Sequence, residues 1–154
     1  MTTSITRAAG WLSAVEPKTN EDRGWKLIGL AWAAVDRDAT RKAVRALGLS
    51  LFAEVPSNTL TAVHVPPGVD SGAVLKTMER RYGVKIAGGQ DRLKGMIFRL
   101  GHIGYYDEGD ILRLVQAFES ALLDHGQSVT PGAGVRAAQE SFRKSQAATA
   151  ARVG

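Results

Sequence analysis

Met96-Ile97-Phe98-Arg99-Leu100, followed by Asp107-Glu108-Gly109-Asp110-Ile111, decides the fold. The first run reads as a β-strand whose side chains alternate, so Met96, Phe98 and Leu100 share one face while Ile97 and Arg99 point to the other. The second reads as a helix start. Asp107 is the N-cap, Asp110 stands at N3, and Tyr106 and Ile111 have hydrophobic-staple spacing. Beyond it Ile111, Val115, Phe118 and Leu122 recur at helical intervals up to Gly126.

Working back from this pair, Gly88 and Gly89 form a loop after a short strand over Val84–Ala87. The preceding helix has Asp70 as N-cap, Val69 and Val74 at staple spacing, Val74, Met78 and Tyr82 on one side, and Gly83 as its stop. Thr59–Val65 is a strand with Thr61, Val63 and Val65 on one face, ended by Pro66-Pro67-Gly68. Leu49–Ala53 is a shorter strand candidate. From Trp25 a helical stripe runs through Ile28, Ala31, Val35, Ala39, Ala43 and Leu47 and halts at Gly48. Short strands joined by returning helices predict an α+β domain, a small mixed or antiparallel sheet with helices packed on one face. The domain spans 25–126, after a poorly ordered leader at 1–24 and before an Ala/Gly/Ser-rich basic tail at 127–154 with a loose helix near Ala137–Lys144.

The chain has 154 residues, 44% of them hydrophobic and 23% charged, enough for one ordinary core. It has no cysteine, which excludes disulfides, thiolate metal sites and thiol nucleophiles and fits a cytoplasmic protein. The net charge of +5 lies mostly in the tail, where Arg136, Arg143, Lys144 and Arg152 against Glu140 give +3 and leave +2 for the body. So nearly neutral a body is a weak partner for nucleic acid. The apolar stretch Ala8–Val15 is too short to span a membrane, and no membrane partner is expected.

Several runs, in this order, resemble the C-terminal small domain of class V pyridoxal-phosphate aminotransferases of the alanine–glyoxylate and serine–pyruvate kind. They are Ala43-Val44-Arg45-Ala46-Leu47-Gly48-Leu49, then Ser57-Asn58-Thr59-Leu60-Thr61-Ala62-Val63, then Tyr82-Gly83-Val84-Lys85-Ile86-Ala87-Gly88-Gly89-Gln90, then Phe98-Arg99-Leu100-Gly101-His102-Ile103-Gly104. The last is similar to the family's Arg-aliphatic-Gly-x-aliphatic-Gly motif, and the resemblance covers about 35–125. It implies that Arg99 binds the carboxylate of an amino- or oxo-acid substrate, a task suited to a planar guanidinium with two parallel donors. It also implies a ligand-contact loop at Gly88, Gly89 and Gln90, for which a plain Gly-Gly turn is the alternative.

Transamination needs a Schiff-base lysine, an acid on the pyridinium nitrogen and a phosphate cup. The family carries all three in its large domain, and none of Lys18, Lys26, Lys42, Lys76, Lys85, Lys94 and Lys144 stands in the family's lysine context. The resemblance therefore implies pyridoxal phosphate for the full-length family, no cofactor bound by this chain alone, and no transamination without the missing large domain. A face left uncovered predicts self-association, with Trp25 and Trp32 as its candidates.

Three other readings compete. A stand-alone regulatory module would sense amino or oxo acids through Arg99, differing in whether binding occurs in isolation. A KH-type RNA binder would use Gly101-His102-Ile103-Gly104 as its GxxG loop, but Asp107, Glu108 and Asp110 would repel phosphate. A metal site would group His102 with those same acids, which read better as helix caps. His64 and His125 have no partner acids at suggestive spacing, and no triad motif supports them as catalytic.

Overall fold

The structure, a computed structural model, describes residues 35–57, 59–102 and 106–153, together with 11, 14–16 and 18–22. Most of the expected leader, the helix start at Trp25, and the candidate surface at Trp25 and Trp32 lie outside the described residues.

Helix α1 (Val35–Ala46) leads to strand β1 (Leu60–His64), helix α2 (Ser71–Tyr82), the two-residue strand β2 (Ala87–Gly88), a 3-10 turn (Asp91–Leu93), strand β3 (Ile97–Gly101), helix α3 (Glu108–Asp124) and helix α4 (Ala133–Val153). The sheet order is β1-β3-β2, with both pairings antiparallel. Last in sequence, β3 is central in space, because α2 returns the chain across the sheet between β1 and β2. Register sets Arg99 opposite Ala62 on one side and Ala87 on the other.

Alternation explains the core. Thr61 and Val63 of β1 and Phe98 and Leu100 of β3 turn to the same face and are fully buried. There they meet Val74 and Met78 of α2, Phe118 and Leu122 of α3, Val44 of α1 and Leu47 just beyond it. Phe98 and Phe118 stand edge to face, 5.3 Å between centroids and 77° between planes. Such a pair is worth about 0.5–1.5 kcal/mol beyond area burial. The fold is the expected α+β layer with helices against one sheet face.

Both predicted helix starts hold. Asp70 accepts from the Gly72 and Ala73 amides, and Gly83 closes α2 at φ 66° in the left-handed region. Asp107 and Asp110 form a reciprocal capping box at α3, with Oδ1 of Asp107 2.8 Å from the Asp110 amide. Tyr106, expected as a staple on Ile111, is 45% exposed and lines a cleft.

Three expectations in the sheet need correction. Met96 precedes the strand instead of facing the core, and is 53% exposed; its backbone is engaged by Leu93 and Val65, so the alternation begins at Ile97. Ile97, on the opposite face as its alternation predicts, is 4% exposed, so that face is covered there. Leu49–Ala53 makes only an isolated bridge, Leu51 to Val63, before the bends at Glu54 and Val55 and the proline at Pro56 turn it away. Val84–Ala87 shrinks to a strand at Ala87–Gly88, Val84 and Ile86 packing on the core as connecting chain.

The segment after Gln127 differs most from a solvated tail. It forms the 21-residue α4, whose Ala138 and Phe142 are buried against Ala39 and Ala43 of α1 and Ile111 and Val115 of α3. Polar Gln, Ser and Arg residues between the small apolar ones dilute the signal in sequence, yet Val135, Ala138 and Phe142 keep helical spacing. Glu119, 5% exposed on α3, accepts from the backbone amides of Gly132 and Gly134 where α4 begins. Gly134 fits closely there, since a Cβ would lie 3.0 Å from Val115 and 3.2 Å from Leu47. No described helix is long and apolar enough to cross a membrane.

Candidate functional site

Arg99 sits at the centre of β3 on the face away from Phe98 and Leu100, half-buried. Its Nε donates to the Gly88 carbonyl at 2.7 Å, across the β2–β3 pair. Among the described residues the Nη atoms have no hydrogen-bond partner, and no carboxylate lies within ion-pair distance of the guanidinium. That leaves a cation with open donors in a cleft of about 610 Å³.

The cleft lies between the sheet, the 83–87 segment and the first turns of α3. Leu60, Val84, Ile86, Ile111 and Leu114 give it apolar walls, and Tyr106, Asp110, Arg113 and Lys85 give it polar ones. Lys85 is held 3.0 Å from Glu79. A mostly apolar hollow with a few convergent polar groups is the usual form of a small-molecule site. Lys85, Tyr106 and Arg113 escaped notice as candidates because only the pairing of three separate segments brings them beside Arg99.

Gly88, Gly89 and Gln90, expected to touch a ligand, do not line this cleft. Gly88 acts on it through the carbonyl that holds Arg99. Gly89 donates to the Ile97 carbonyl at 3.0 Å. A Cβ on Gly89 would fall 1.9 Å from the Leu93 carbonyl oxygen, so only glycine lets the 3-10 turn fold back this closely. Gln90 is exposed and starts that turn, its carbonyl accepting from the Leu93 amide at 2.8 Å.

Next to the cleft, Arg41 of α1 holds the loop that delivers Thr59. Its Nη2 donates to the Ser57 carbonyl at 2.6 Å, and the Ser57 and Thr59 hydroxyls are 2.8 Å apart. Burial, then the Arg37 charge, pushes the Arg41 guanidinium below the usual arginine range. In sequence Arg41 is one more cation off the apolar stripe.

The histidines are accounted for structurally. His102 is buried with Nε2 2.8 Å from the Thr61 hydroxyl, and among the described residues no group of three or more His, Asp or Glu side chains could hold a metal. Asp107 and Asp110 cap α3, as expected. His64 is exposed against Phe52, and His125 Nε2 lies 2.8 Å from the Thr77 hydroxyl. Gly101 ends a strand, whereas a KH-type GxxG loop joins two helices.

The chain matches no protein-family model. It is 39% identical over 120 residues to the serine–glyoxylate aminotransferase of Methylorubrum extorquens, which covers 76% of this chain and 30% of that enzyme. It is 47% identical over 103 residues to a protein named soluble hydrogenase, small subunit, from a Synechococcus strain, covering 65% of this chain and 27% of that one. In fold it matches the pyridoxamine–pyruvate aminotransferase of Mesorhizobium loti with a TM-score of 0.73 and 29% identity, over 80% of this chain and 32% of that enzyme. The chain spans less than a third of the length of these curated relatives. With motifs, sheet and helices in agreement, this chain belongs to the aminotransferase family its sequence resembles, as a counterpart of its small α+β domain.

Proposed function

We propose that this chain is the substrate-carboxylate half of a transaminase, its Arg99 taking the α-carboxylate of an amino or oxo acid while a separate cofactor domain performs the amino transfer. The observation that carries the reading is the Arg99 guanidinium, tied by Nε to Gly88, open at both Nη atoms and facing a largely apolar cleft.

The described residues do not fit pyridoxal phosphate by themselves. The one lysine lining the cleft, Lys85, is exposed and ion-paired with Glu79, and the one acid there, Asp110, caps a helix. No amino-transfer step is therefore assigned to this chain.

Binding in isolation, which the sequence alone offers as the difference between a domain of this kind and a stand-alone sensor, separates the two only through its magnitude, because the open Arg99 donors can hold a carboxylate weakly by themselves. Two hydrogen bonds between charged groups contribute about 1.5–3 kcal/mol each. Together they give about 3–6 kcal/mol, which the entropic cost of association brings to about the 4 kcal/mol of millimolar affinity, whereas a micromolar sensor needs about 8 kcal/mol and more contacts than Arg99 offers. On the same reading the cofactor domain would cover Phe52, Val55 and Met96, which are exposed here, and the lone cytoplasmic chain would self-associate, as sedimentation would register.

The test mixes the purified chain with pyridoxal phosphate and follows both absorbance and amino-group transfer from alanine or serine to glyoxylate or pyruvate. The expected result is no protein-bound cofactor band and no transfer. A stoichiometric band abolished by changing one lysine would refute the proposal.

A further inference from the structure

We infer that Arg99 receives its carboxylate end-on, through Nη1 and Nη2 alone, and that the Gly88-Gly89 step is a positioning element that enforces this geometry. The inference rests on the carboxylate role proposed for Arg99 and goes beyond it in specifying which edge of the guanidinium binds and what fixes it.

A guanidinium can grip a carboxylate bidentately along two kinds of edge, one formed by Nε and a neighbouring Nη, the other by the two Nη atoms. The first is already taken. The Arg99 Nε–H points at the Gly88 carbonyl, 2.7 Å away. Both Nη atoms, by contrast, have no hydrogen-bond partner among the described residues. Only the terminal edge can offer two parallel donors without breaking an existing bond.

The carbonyl that blocks the side edge is itself fixed. Gly88 pairs with Phe98 in the β2–β3 ladder, and the Gly89 amide donates to the Ile97 carbonyl at 3.0 Å. The 3-10 turn then presses its Leu93 carbonyl against Gly89, leaving no room for a Cβ at 1.9 Å. A Cβ on Gly88 would lie 3.1 Å from Leu75 Cδ1, at the far end of a flexible side chain, so that position tolerates alanine better. The two glycines thus differ in role: Gly89 holds the backbone close, and Gly88 presents the acceptor. The guanidinium rotates no further than this bond allows, and a ligand carboxylate must approach along the axis of the side chain.

The experiment is a titration of the wild-type chain with pyruvate, taken well past the millimolar range, followed through the arginine side-chain nitrogen signals by NMR. Arg99→Gln identifies the Arg99 signals, and Gly89→Ala tests the positioning element. The expected result is a shift of the Arg99 Nη signals with the Nε–H signal unmoved, and a roughly tenfold weaker response in Gly89→Ala; a Gly89→Ala chain that responds as wild type overturns the positioning role. Loss or a large shift of the Nε–H signal on adding pyruvate overturns the end-on geometry and leaves the carboxylate role standing. The absence of any Arg99 response overturns that role, and this inference with it. If Gly89→Ala does not fold, hydrogen exchange of the Arg99 Nε–H in the wild type reads the restraint instead: exchange slower than at exposed arginines supports it, and exchange as fast as theirs overturns it.

Discussion

Replacing Glu119 by alanine should cost far more than a surface substitution, because this carboxylate joins α4 to the rest of the domain. Glu119 is 5% exposed and accepts two backbone amides, those of Gly132 and Gly134, at the point where α4 begins. Bonds to a charged acceptor contribute about 1.5–3 kcal/mol each. Removal also costs the attraction between the carboxylate and the helix N-terminus, about 0.3–1 kcal/mol. Water can reach the partly buried Gly132 amide in the variant, which recovers some of the loss, but the bond to Gly134 is buried. The net expectation is about 3 kcal/mol, or a fall in Tm of roughly 6–12 °C for a domain of this size. Urea unfolding with a thermal melt gives both values, and Glu140→Ala on the exposed side of α4 is the control, expected within about 0.5 kcal/mol. A Glu119→Ala loss no larger than the control would show that α4 is not part of the cooperative fold.

Phe98→Ala should destabilise the domain by about 3–5 kcal/mol, since it empties a fully buried site facing Phe118, and denaturant unfolding reads the change. Asp107→Ala removes one arm of the capping box and should cost about 1 kcal/mol in the same assay. The Tyr82 hydroxyl donates to Asp124 at 2.7 Å, and that bond first, burial second, raises its pKa. A raised folded-state value stabilises the fold fully below the unfolded tyrosine pKa of about 10. The advantage of wild type over Tyr82→Phe should therefore hold at neutral pH and vanish as alkaline pH passes the higher folded value. A constant difference across that range would contradict the assignment.

Local signals in the sequence were legible where the physics is local. Asp70, Gly83, Asp107 and Asp110 act within a turn of their own positions, and all four do in the structure what their spacing predicts. Phe98 and Leu100 were readable from alternation alone. The edges of the strands were less so, because a strand ends where its partner does: Met96 fails to enter β3, and Leu49–Ala53 gains only one bridge. Helix α4 was hidden for another reason. Its apolar stripe is thin, and its anchor, Glu119, is a carboxylate thirteen and fifteen residues from the amides it binds. As for the cleft, the sequence singled out Arg99, but the acceptor at Gly88 and the walls at Tyr106 and Arg113 arise from strand pairing and helix placement.

The most direct measurement is titration calorimetry of pyruvate into the wild-type chain and into Arg99→Gln, with unfolding curves confirming equal stability. Millimolar binding by wild type, lost in the variant, is the predicted outcome. Equal heats from the two proteins, or micromolar binding that survives the substitution, would contradict it.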